Sequence, residues 1–96
     1  MNLRKAARGQ ECAARLPGVC NGDPETTVLA HIRRDGIAGM GSKPVDVCAF
    51  PACSACHDVI DGRVHSARSE SELDGYILGA LLRTLTDLAK SGTLKW

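Results

Sequence analysis

The clearest pattern lies in the last third of the chain. Leu73, Tyr76, Ile77, Ala80, Leu81, Leu85 and Leu88 recur at helical spacing and share one face. Ser69 and Glu72 form a capping box ahead of this stripe, and Ser91-Gly92 marks its stop. The helix is expected to pack over the rest of the chain and to supply most of the core. Upstream, Thr26-Thr27-Val28-Leu29-Ala30-His31-Ile32 is β-branched and apolar, which predicts a short strand. Residues 45–50 predict a second strand, stopped by Pro51. Residues 54–61 predict a short helix ended by Gly62. Pro17-Gly18 and the Asn21-Gly22-Asp23-Pro24 cluster read as turns, and the glycine-rich stretch 35–41 as a loop. The order is a cysteine-bearing loop, strand, loop, strand, short helix and long helix, an α+β pattern.

Length changes that picture by making the core thin. Ninety-six residues bound the chain to a single domain, 1–96. A domain of this size hides only about 64% of its unfolded surface. The sequence is 44% apolar, too much for disorder, yet it holds one Phe, one Tyr and one Trp. Such a chain needs a disulfide or metal staple. The basic start, Met1 to Gly9, is followed by no apolar run, which argues against a secretory signal, and the longest apolar stretches are interrupted within a few residues, which argues against a membrane span. A reducing cytoplasm is the expected compartment, where thiols bind metal rather than pair. The odd count of five cysteines points the same way.

Cys53-Ser54-Ala55-Cys56-His57 is the most informative string. Two thiolates three positions apart can hold one Zn²⁺ from a tight turn, and a tetrahedron needs two more. Cys12 and Cys20 are the natural second pair, brought together by Pro17-Gly18. Cys48 is left as a small buried residue or as a replacement for one of them. The same string spells a c-type haem attachment, which needs export, and a redox pair, which lacks a surrounding βαβ pattern. His57 and Asp61 lie one helical turn apart and can share a divalent cation, with His65 able to swing back to it. His31 ends the first strand.

That arrangement resembles the HNH, or ββα-metal, endonuclease motif. In that family a hairpin strand ends in a water-activating histidine, as in Val28-Leu29-Ala30-His31-Ile32. A following helix begins with a string like Cys53-x-x-Cys56-His57, whose histidine binds the catalytic metal. Flanking cysteine pairs hold a structural zinc. The whole chain also resembles the small phage and prophage family of YbcO-like nucleases. Leu3-Arg4-Lys5-Ala6-Ala7-Arg8-Gly9, Pro17-Gly18-Val19-Cys20-Asn21-Gly22 and Cys53-Ser54-Ala55-Cys56-His57-Asp58 carry that likeness.

The resemblance implies a zinc-stapled ββα-metal (HNH-like) domain with a C-terminal amphipathic helix, cleaving phosphodiester bonds in DNA. His31 would be the general base. Cys12, Cys20, Cys53 and Cys56 would hold structural Zn²⁺. His57, with Asp61 or His65, would hold catalytic Mg²⁺, Mn²⁺ or Zn²⁺. Ala30 stands where many members carry an acid or histidine, and the orienting Asn has no clear counterpart. A second role, metal ligand, is therefore open to His31.

Charge adds a candidate surface. The net charge is only +1, but residues 1–43 carry seven Lys/Arg against four Asp/Glu, and residues 44–96 five against seven. Arg4, Lys5, Arg8, Arg33 and Arg34 are the candidates for phosphate contact. DNA is the expected partner, with a phage or host recombination protein as a second. The competing reading is a non-catalytic zinc-stapled module that binds DNA or protein.

Overall fold

The computed structural model describes residues 3–32 and 48–93. Arg33, Arg34, the expected glycine-rich loop and the start of the second predicted strand lie outside the described residues. In chain order the elements are α1 (Leu3–Ala7), a 3-10 turn (Pro24–Thr26), β1 (Val28–His31), β2 (Ala49–Ala52), α2 (Ser54–Ile60) and α3 (Glu70–Lys90).

The strands form one antiparallel pair with Leu29 opposite Pro51, Ala30 opposite Phe50 and His31 opposite Ala49. β2 therefore runs through Pro51, where the sequence pattern predicts a stop. The ladder explains this. Ile32 donates its N–H to the Cys48 carbonyl at 2.9 Å. Hydrogen-bonded positions alternate along an antiparallel pair, so the Leu29–Pro51 position needs no ladder N–H from Pro51. The Pro51 carbonyl points outward and accepts from the Ala13 N–H at 2.8 Å. β1 is also shorter than expected, because Thr26 closes the 3-10 turn and its hydroxyl binds the Asp23 carbonyl at 2.9 Å.

α2 follows β2 directly. Cys53 is its N-cap, its sulfur accepting from the Cys56 N–H at 3.4 Å. Asp61 closes the helix, and Gly62 takes φ +77, a left-handed conformation that turns the chain back. α3 starts at the predicted capping box, with Ser69 and Glu72 satisfying each other's backbone N–H groups.

The core sits around β2 and the base of α2. Its largest fully buried side chains are Phe50, Leu16, Thr27, Cys53 and Cys56. α3 contributes Ile77 and Ala80 as buried residues, with Leu73, Tyr76 and Leu81 half-covered. The long helix thus lids a core built mostly by the cysteine loop and the hairpin. Arg83 and Arg68 tie it down by donating to the Ala13 and Pro17 carbonyls. α1, which carries no periodic stripe, packs on β1 through Ala7. No helix among the described residues is long and apolar enough to cross a membrane.

Candidate metal centre and histidine site

Four sulfurs converge where the cysteine loop meets α2. The ligand atoms of Cys12, Cys20, Cys53 and Cys56 all lie within 4.8 Å of one another. Zn–S bonds of about 2.3 Å place tetrahedral sulfurs about 3.8 Å apart. The Cys20 and Cys53 sulfurs are 3.9 Å apart, so the cluster has the dimensions of a tetrahedral site. None of the four is in a disulfide, and Cys48 stands apart from the group.

Two turns explain how a stretch of nine residues, Cys12 to Cys20, closes. Arg15 adopts φ 49 and gives its N–H to the Cys12 sulfur at 3.4 Å. The Val19 and Cys20 N–H groups then both bind the Leu16 carbonyl, with Gly18 at φ +72 completing the turn. Beyond Cys20, the Asn21 side chain donates to the hydroxyls of Thr26 and Ser54, each at 3.2 Å, and fastens this segment to the start of α2.

The thiols differ sharply in acidity. Burial pushes Cys53 up, but N–H groups of Cys56 and Asn21 outweigh it and bring the group down to about 7. Burial raises Cys56, with only partial relief from the Leu16 N–H. It also raises Cys20 against the Gly22 N–H, with Cys12 adding to the rise. Of Cys20, Cys53 and Cys56, Cys53 is therefore the one held most readily as a thiolate. The four cysteines can bind a metal such as zinc.

On the next turn of α2, His57 Nε2 and Asp61 Oδ2 are 3.1 Å apart, both side chains largely covered. Adjacent ligands of an octahedral cation with bonds of about 2.1 Å are separated by about 3.0 Å. The pair therefore fits two neighbouring ligand positions. Arg63 is the residue the sequence pattern does not reveal. Its guanidinium lies 3.3 Å from Asp58 Oδ1, 3.3 Å from Asp61 Oδ2 and 3.5 Å from His57 Nδ1. No spacing rule signals this contact, because the turn at Gly62 creates it.

His31 is half-buried at the end of β1, opposite Ala49. Strand alternation sets it on the face of Leu29, away from the face of Ala30 and Phe50. His65 is exposed beyond Gly62. Among the described residues, the four cysteines are the one gathering of three or more metal-ligating side chains. Neither His31 nor His65 is drawn into a three-ligand cluster with His57 and Asp61. Arg4, Lys5 and Arg8 are exposed on and just after α1.

The family described as "Putative nuclease YbcO" matches residues 1–93. The chain belongs to the YbcO family. "Putative nuclease YbcO" from Escherichia coli (strain K12) is 52% identical over 98 aligned positions, covering 98% of this chain and 97% of that protein. "Putative nuclease ybcO" of Enterobacteria phage 82 matches with the same identity and coverage. Among solved structures, one of a YbcO-sized chain is described as "Structure of a putative bacteriophage protein from Escherichia coli str. K-12 substr. MG1655". It aligns with a TM-score of 0.78 and 47% identity, over 95% of this chain and 100% of that one.

Proposed function

We propose that this YbcO-family chain is a metal-dependent endonuclease of the HNH, ββα-metal type, acting on DNA. The observation that carries the reading is α2 itself. Its first turn delivers Cys53 and Cys56 to the four-sulfur cluster, and its second sets His57 and Asp61 3.1 Å apart. A helix fixed at its start by a structural zinc would hold those two ligands rigidly, which a thin core alone does poorly. The hairpin that carries His31 runs straight into this helix. The names of the relatives point to nuclease chemistry.

In this reading Cys12, Cys20, Cys53 and Cys56 hold Zn²⁺. His57 and Asp61 bind catalytic Mg²⁺, Mn²⁺ or Zn²⁺, and His65, which does not cluster with them here, would swing back to serve as a further ligand. That cation supplies charge relief at the scissile phosphate and at the leaving 3′-oxygen. His31 takes the proton of the attacking water, since neutral imidazole is the base available near pH 7. Arg33 and Arg34, two and three positions after it, contact neighbouring phosphates, and Arg4, Lys5 and Arg8 extend the basic surface.

The test is nicking of supercoiled DNA by zinc-loaded protein, with and without Mg²⁺ or Mn²⁺. Metal-dependent nicking that His57→Ala abolishes is expected. Binding to DNA without cleavage under every metal overturns the enzyme reading in favour of the zinc-stapled binding module.

A further inference from the structure

Arg63 occupies the ground between the two acids of α2. Gly62, at φ +77, folds the chain back so that the N–H groups of Arg63 and Val64 both bind the Asp58 carbonyl, at 2.8 and 3.2 Å. The side chain is thereby led across the end of the helix. One guanidinium nitrogen lies on Asp58 and near His57 Nδ1, and the other on Asp61. Asp61 Oδ2 serves two partners, Arg63 at 3.3 Å and His57 Nε2 at 3.1 Å.

These contacts suit one tautomer of His57. A neutral His57 that donates from Nε2 to Asp61 leaves Nδ1 as an acceptor, which suits the facing guanidinium N–H. Ligation of a cation through Nε2 requires the opposite tautomer, with the proton on Nδ1. That N–H would then face the Arg63 N–H, donor against donor. The guanidinium charge also opposes a dication at Asp61. Contact of Arg63 with His57 and binding of a cation at Nε2 are thus mutually exclusive.

We propose that Arg63 is a built-in competitor for the divalent cation, seated on His57, Asp58 and Asp61 until the cation displaces it. The inference rests on the reading of His57 and Asp61 as ligands of that cation. Once displaced, Arg63 becomes a mobile cation at the edge of the site. Its side chain is already 57% exposed, so leaving the acids uncovers little apolar surface.

Mn²⁺ binding to zinc-loaded protein, followed by the electron paramagnetic resonance of free Mn²⁺, tests this without reference to cleavage. Arg63→Gln keeps size and polarity while removing the charge. It should tighten Mn²⁺ binding roughly three- to tenfold, as expected for losing a partly exposed ion-pair network. Arg63→Lys should remain close to the parent. Unchanged or weaker Mn²⁺ affinity in Arg63→Gln overturns the competitor role while leaving the ligand reading intact, provided Asp61→Asn still weakens binding. If Asp61→Asn and His57→Ala both bind Mn²⁺ like the parent, the ligand reading falls and the competitor role falls with it. The ring nitrogen shifts of His57 give an independent readout. They should report an Nε2–H tautomer without Mg²⁺ and an Nδ1–H tautomer with it, and an Nδ1–H tautomer without Mg²⁺ overturns the proposal.

Discussion

In the proposed nuclease His31 serves as base and His57 as cation ligand, so their alanine variants should fail differently. A positioned base is worth about 10²–10⁴ in rate. His31→Ala removes neither sulfur nor cation ligand, so fold, zinc content and DNA affinity should persist while cleavage falls by about that factor. His57→Ala deletes the partner of Asp61 at 3.1 Å. Cleavage should again fall, but residual activity should need more Mg²⁺ and recover partly as it is supplied. Titrating activity against Mg²⁺ in both variants separates the roles. A shared, metal-rescued defect would make His31 a ligand, the second role open to it given Ala30 at the preceding position.

The boundaries of α3 depend on local chemistry, which is why the sequence locates them. Ser69 binds the Glu72 N–H at 3.2 Å, and Glu72 reaches back to the Ser69 N–H. Ser69→Ala should therefore destabilise the protein by about 1 kcal/mol in urea titration, with no change in zinc content. Elsewhere the pattern misleads for identifiable reasons. α1 spans five residues, too few to display a periodic face. Pro51 reads as a strand breaker until the register shows that its missing N–H costs no ladder bond. The cysteine pairing is readable from residue type, but closure across nine residues depends on Arg15 and Gly18, both at positive φ. Arg63 emerges only from the backbone reversal at Gly62. The apolar stripe of α3 correctly marks a helix but overstates its burial, since Ile77 and Ala80 alone of its residues are buried while Leu73, Tyr76, Leu81, Leu85 and Leu88 are half-covered.

At the scale of the molecule, the fully buried set among the described residues holds Phe50, Leu16 and Thr27 and is otherwise built of alanines and cysteines. Burial of such small side chains returns little against the entropy of ordering the chain. A structural zinc contributes about 10–16 kcal/mol in small domains, enough to decide folding. One Zn²⁺ per chain is expected by elemental analysis. Chelation, or Cys56→Ser, should abolish the cooperative thermal transition, whereas Cys48→Ser should retain it. A fully folded, zinc-free Cys56→Ser protein would remove the structural site from the account. In the proposed nuclease the charge distribution would set how the zinc-stapled unit meets DNA. The sequence holds one Phe, one Tyr and one Trp, none of them near Arg4, Lys5, Arg8, Arg33 or Arg34 along the chain, so contact should rest on phosphates and be weakly sequence-selective. With about three to five phosphates engaged, log K should fall against log salt with a slope of about −3 to −5. Arg33→Ala with Arg34→Ala removes two cations that follow His31 in the sequence and should flatten that slope by about two. An unchanged slope would move the contact to Arg4, Lys5 and Arg8, exposed at α1, and the triple alanine variant there should then produce the flattening instead.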